Sequence, residues 1–229
     1  MAESNLEQRV TELEKELKKA KHEIERLQAI REIENLMSQY VYLHMENRQQ
    51  DVMKLYAKHP DTRVYLGELG CWKGPDAPQR AWQLLERLGA GKTPPGMMAI
   101  HPVNTSYIVV AGDGKTAKGV WLNTGFVLSW NPEKQEQGAR WEWGAYGIDF
   151  IKEDGKWKFW HHHIYRIAST DWAAGFKDWD PDRQVMKVPE DIKPDYPGMD
   201  DYPYRRDKVY VFKPDRAEPY ETWSDTFSY

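Results

Sequence analysis

Cysteine is all but missing from this 229-residue chain: Cys71 stands alone. A single thiol excludes a disulfide framework and a thiolate zinc cluster. No stretch approaches 18 consecutive apolar residues, so no membrane span is expected. The opening MAESNLEQRV carries acids and lacks the apolar run of a secretory signal, which makes the cytoplasm the expected compartment. Positive charge is not in excess either. Against 32 Lys and Arg stand 36 Asp and Glu, a net charge of −4, whereas a nucleic-acid partner calls for a basic footprint. Aromatic residues, by contrast, are abundant: 11 Trp, 13 Tyr and 6 Phe. A core of this size does not need so many large rings, which suit the wall of a cavity or an interface. The 40% hydrophobic and 30% charged composition is globular, and the length fits one domain with appendages.

Three regions follow from the patterning. In residues 1–28, Leu6, Val10, Leu13, Leu17, Ala20, Ile24 and Leu27 alternate spacings of four and three. That is a heptad seam, with Glu, Lys, Arg and Gln between. It reads as a parallel coiled coil or as a helix packed on its own domain. The expected assembly is a homotrimer, with a dimer the alternative. Residues 29–169 form the second region. Ile30, Ile33, Met37, Tyr40 and His44 continue an apolar helix face, a second helix is expected over Asp51–Lys58 with Asp51 as cap, and a third near Pro78–Leu88. A short strand, Thr62–Leu66, lies between them and leads into the turn GELGCWKGPDAP. Strand periodicity then takes over in Ile100–Val110, Thr116–Trp130, Arg140–Lys152 and Trp157–Ala168, with GDGK, NPEKQEQG and EDGK as turns. Helices first and strands after mean α+β, a four-stranded antiparallel meander curving around a long helix. The third region, residues 170–229, is rich in proline and poor in aliphatics, yet keeps Trp172, Phe176, Trp179, Tyr196, Tyr202, Tyr204, Tyr210, Phe212, Tyr220, Trp223, Phe227 and Tyr229. Solvated tails avoid such rings, so an extended arm packed on its own or a neighbouring subunit is expected.

Residues 28–168 resemble the nuclear transport factor 2 superfamily in its SnoaL-like branch. The resemblance rests on the helix pair AIREIENLMSQYVYLHMENRQQDVMKLYA, the His opening HPVNTSYIVV, the turn and strand GDGKTAKGVW, and the hairpin GAYGIDFIKEDGKWKFWHHHI. It implies a cone of curved sheet on three helices. It also implies chemistry without metal or organic cofactor on bulky hydroxylated rings. Members include scytalone and bile-acid dehydratases, ketosteroid isomerase, polyketide cyclases and the diarylpropane formaldehyde lyases of aromatic catabolism, and this chain's extensions look most like the last group. The late first-helix Asp of many dehydratases and isomerases is replaced here by His44, Met45 and Glu46, and Ile148 stands where relatives often carry Asp.

Several residues could carry the chemistry. Tyr40 and His44 are four apart on one helix face. Buried there, they need partners or a ligand. His101 starts the strand that relatives use to present a histidine, and a neutral imidazole can both accept and donate a proton. Trp121 and Asn123 share a face of their strand, and Tyr146, which matches a recurrent family tyrosine, shares one with Ile148 and Phe150. These positions are either pocket wall or core. The run His161-His162-His163 looks like a metal site, but alternation lets only His161 and His163 converge. A catalytic metal would need a third ligand such as His101; no metal is expected, one or two of these histidines reaching the cavity as acid or base is preferred, and a salt-bridged or interface role is the alternative. The resemblance places Glu68 and Trp72 near the cavity mouth. Cys71 has no base beside it in sequence and is not expected to act as a nucleophile. The expected activity is a cofactor-free lyase on a small hydroxylated phenolic substrate, with His101, Tyr40, His44 and His163 catalytic and Trp72, Trp121, Asn123, Tyr146 and His161 at the substrate. The closest analogy is release of formaldehyde from a lignin-derived diarylpropane diol. A steroid or polyketide dehydratase or isomerase and a non-catalytic binding protein stay open as alternatives.

Overall fold

The computed structural model describes residues 2–88, 95–178, 187–198, 204–225 and 228–229. Most of the expected loop GAGKTPPG, together with Trp179, Tyr202 and Phe227, lies outside them. Helix α1 runs without a break from Ala2 to Met45. Its C-terminal half buries Ala29, Ile33, Leu36, Met37 and Tyr40 in the core. The second helix is shorter than expected. Helix α2 covers Gln49–Val52 and passes into one 3₁₀ turn, Met53–Leu55. Asp51 lies inside its first turn rather than at the cap, where it pairs with Arg48 and Lys54. Helix α3, Ala77–Leu88, forms as its apolar stripe requires, burying Ala77, Ala81, Trp82 and Leu84.

The sheet is larger than a four-stranded meander. It holds seven strands: β1 (Arg63–Leu66), β2 (Cys71–Lys73), β3 (Met98–Ile100), β4 (Val103–Val110), β5 (Thr116–Asn131), β6 (Glu136–Glu153) and β7 (Lys156–Asp171). Their order is β2-β1-β7-β6-β5-β3, with β4 following β3 along the same edge of β5. All pairs are antiparallel except β1 with β7. The expected strand Ile100–Val110 is therefore two strands. Pro102 lacks the N–H that a continuous ladder needs, and the break leaves His101 between β3 and β4 rather than opening a strand. The turn after β1 hides the unforeseen strand β2. The fold is α+β, a curved open sheet on the helices.

One irregularity decides which way the histidine run faces. In the β6–β7 ladder Phe150 pairs with Phe159 but Asp149 pairs with His161, so Trp160 is an extra residue in β7. Such a bulge shifts the alternation by one. Phe159 and His162 both face the helices, their rings 5.1 Å apart, while Trp160 stacks on His161 on the other side.

The C-terminal arm packs on its own chain. Tyr196 bridges Cys71, Trp72 Nε1 donates to Ile192 O at 2.7 Å, Gly112 N donates to Tyr220 O, and Tyr204 N donates to Ile167 O. Its last residues reach a buried polar group on the outer face of the sheet. There Lys118 pairs with Asp149, whose Oδ2 accepts from His161 Nδ1 at 2.8 Å and from Ser228 Oγ at 2.9 Å, and the Tyr229 ring lies over the Lys118 ammonium. Among the described residues no helix is long and apolar enough to cross a membrane.

Candidate active site

A cavity of about 370 Å³ opens between the end of α1, α3 and the inner face of the sheet. Leu66, Leu69, Leu85, Val127 and Ile164 make much of its wall apolar. Tyr40 and His44 enter from α1, where the four-residue spacing stacks their rings at 5.7 Å. His101 enters from the β3–β4 break and stacks on His44 at 5.5 Å. Asn123 and Tyr146 line the same space, and Asn123 fixes the break by donating to Pro102 O at 3.0 Å. Five expected residues thus meet: Tyr40, His44, His101, Asn123 and Tyr146.

His101 Nε2 donates to Glu142 Oε2 at 3.0 Å. Glycine makes this reach possible. Gly125 is paired with Glu142 across the β5–β6 ladder. A Cβ on Gly125 would lie 2.2 Å from Ile100 O and 2.7 Å from His101 Cδ2, so only a hydrogen there lets the imidazole lie across the strand. With Nε2 committed to the carboxylate, Nδ1 is the nitrogen left to exchange a proton. Burial alone would raise the Glu142 carboxyl, but the His101 hydrogen bond and the Arg140 and Arg166 charges outweigh it and hold it at about 2. Glu142 is therefore ionised and orients His101.

His44 differs from its neighbour. Burial, reinforced by His101, pushes it down to about 4, so it is neutral near pH 7. Gln49 Nε2 donates to its Nδ1 at 3.3 Å, which places the ring hydrogen on Nε2. Tyr40 is raised well above the usual phenol range by burial, and the Tyr146 and Tyr56 phenols add to this. Its hydroxyl stays protonated and, among the described residues, has no partner in hydrogen-bond geometry. Among the described residues Gln49 Oε1 is likewise buried without a partner. The site thus joins an imidazole oriented by a carboxylate to neutral donors in an apolar enclosure, where hydrogen bonds to a developing charge are strong.

Four expected residues lie elsewhere. His161 and His163 turn away from the cavity because of the Trp160 bulge. His161 binds Asp149 on the far face, and His163 stacks between Tyr65 and Tyr165 at 4.6 and 3.8 Å. His162 takes the inward position instead, accepting from Tyr56 Oη at 2.5 Å, below the cavity wall. The three histidines do not converge, and among the described residues no group of three or more His, Cys, Asp or Glu is placed to hold a metal. Trp72 is fully buried against the C-terminal arm. Trp121 is buried in the core, edge-on to Phe150 and over Gly119, where a Cβ would strike its ring at 2.4 Å. Glu68 does reach the cavity, paired with Arg166. Cys71 is buried and its thiol pushed up to about 11, mainly by burial. Glu142 was the residue to find in the sequence. It shares strand parity with Tyr146, four residues earlier on the same face.

Comparison with known proteins agrees with this architecture. Residues 25–163 match the SnoaL-like domain family. No curated protein is significantly similar in sequence. Among solved structures, a candidate scytalone dehydratase from Novosphingobium aromaticivorans is 19% identical, with a TM-score of 0.50 over 75% of this chain and 95% of that one. LinA is 16% identical, with a TM-score of 0.51 over 66% and 95%. A candidate dehydratase of the NTF2-like family from Streptomyces avermitilis is 12% identical, with a TM-score of 0.51 over 62% and 98%. These likenesses show the fold, and with more than half of its length matching the family model, the chain belongs to the SnoaL-like domain family.

Proposed function

We propose that this protein is a cofactor-independent lyase that acts by elimination on a hydroxylated phenolic compound, releasing formaldehyde from a diarylpropane diol to give a stilbene. The observation that carries the reading is the His101–Glu142 pair opening beside His44 and Tyr40 on a largely apolar cavity. Dehydratases among the structural neighbours' names are consistent with elimination chemistry.

The residues suit two linked steps. His101, protonated and stabilised by Glu142, gives its Nδ1 proton to the benzylic hydroxyl. The C–O bond breaks, water leaves, and the phenolic oxygen loses its proton to solvent as its electron pair forms a quinone methide. Neutral His101 then takes the proton of the terminal CH₂OH. The C–C bond breaks, its pair returns to the ring system, and formaldehyde leaves. The phenolate regains a proton, so the sum is stilbene, water and formaldehyde, with His101 restored. His44 Nε2–H and the Tyr40 hydroxyl are the donors available to the developing oxyanion.

The test is incubation with a 1,2-diarylpropane-1,3-diol bearing a para-phenol, assaying formaldehyde and stilbene absorbance together. Equal release of both supports the reading. A dehydrated product without formaldehyde makes the protein a dehydratase on the same His101–Glu142 pair, and binding without turnover makes it a ligand carrier. Activity is expected to survive EDTA and dialysis. Loss that zinc restores would overturn the cofactor-free reading.

A further inference from the structure

The first half of α1 carries an apolar seam that its own domain leaves uncovered. Leu6, Leu13 and Leu27 are 64%, 61% and 66% exposed, and Val10, Leu17 and Ile24 are exposed with them. In heptad terms Val10, Leu17 and Ile24 are a positions and Leu6, Leu13, Ala20 and Leu27 are d positions. The helix meets its own domain through the opposite side. His22, an f residue, donates from Nε2 to Gly112 O at 2.6 Å, and Arg26, a c residue, donates to Val110 O at 3.0 Å. The alternative in which the seam packs on its own domain is therefore not what the chain does.

We propose that residues 5–28 bind the same segment of a second copy of this chain as a parallel, in-register coiled coil. The flanking charges favour one orientation. In a parallel pair each g residue faces the e residue five positions later on its partner. Arg9 then meets Glu14, Glu16 meets Lys21, and Glu23 meets the neutral Gln28. Two contacts attract and none repels. An antiparallel pair sets g against g and e against e: Arg9 meets Glu23 and Glu14 meets Lys21, but Glu16 meets Glu16, a like-charge contact that the parallel pair avoids. Because α1 continues unbroken into the cavity wall at Tyr40 and His44, a parallel pair holds both sites at the same end of the bundle.

The experiment uses the full chain. Leu13→Cys places a thiol at a d layer where it meets its own copy only in the parallel register, and Lys15→Cys places one at an outward f position. The native Cys71 is buried. Under mild oxidation, Leu13→Cys is expected to give a disulfide-linked dimer and Lys15→Cys is not. Arg9→Glu is expected to weaken association about tenfold in sedimentation, and adding Glu14→Arg is expected to restore it. A monomeric mass for the unmodified chain at tens of micromolar overturns the proposal. So does equal cross-linking at both thiols, or failure of Glu14→Arg to rescue, which is the antiparallel outcome because residue 14 would then face Lys21.

Discussion

His101 and Glu142 form the smallest unit in which function can be tested. His101→Ala is expected to lower kcat by about 10²–10⁴-fold while KM changes little, since the apolar wall supplies most of the binding. His101→Gln keeps a donor but cannot shuttle a proton, so it should be nearly as damaging. Near-native turnover in both would move the acid–base role to His44. Glu142→Gln keeps the shape of the pair but removes the charge that orients His101, and a loss of about 10–100-fold in kcat is expected. The sequence could show Tyr40 and His44 because helical spacing is regular, and it could show Asn123 and Tyr146 because strand parity holds on β5 and β6. It could not show that His101 reaches across Gly125, because a gap the width of one methyl group is a tertiary fact. Nor could alternation place His161 and His163, since one extra residue reverses every later side chain on β7.

Strand irregularities and the arm that covers them account for what was least legible at the scale of elements. The β3–β4 break exists because Pro102 interrupts a ladder and Gly125 leaves room behind it. Gly125→Ala should therefore displace the β3–β4 edge, whose Ile100 O a Cβ would meet at 2.2 Å, and cut turnover as His101 is pushed from Glu142. Unchanged turnover would show that the strand edge absorbs the methyl group. The three residues of β2 carry too little period to read, whereas the spacing of the long α1 and of the β5–β7 hairpins is plain. On the outer face, burial raises the Asp149 carboxyl, but the His161 hydrogen bond and the Lys118 charge outweigh it and hold it low. Lys118 is only 3% exposed. Removing the charge opposite it with Asp149→Asn is expected to cost about 3–5 kcal/mol, read as a lower midpoint in urea, and to release the end of the arm to protease. An unshifted midpoint would mean the arm docks without this ion pair.

Acid should be felt by the molecule as a whole. His44 is held at about 4 and His162 at about 3, in both cases chiefly by burial, whereas the unfolded chain binds those protons near pH 6.5. The unfolded state thus holds more protons below pH 6.5, so stability falls as pH drops toward 4, by up to about 1.4 kcal/mol per unit for each histidine. His44→Gln should make that slope shallower, measured as urea midpoints at pH 7 and 5. An unchanged slope would place the acid sensitivity elsewhere. Helix α1 joins the outermost and innermost parts of the molecule, for the exposed leucines and the cavity residues are turns of one rod. About 25 Å separates Leu27 from His44 at 1.5 Å per residue, and each residue turns the rod by about 100°. The helix therefore acts as a drive shaft whose phase is fixed. One residue inserted after Leu27 would swing the seam by about 100° against the domain, while seven would return it to within about 20° of its original bearing. Insertions of one and of seven residues would lengthen the shaft alike in kind, yet only the second should keep the exposed face pointing where it now does.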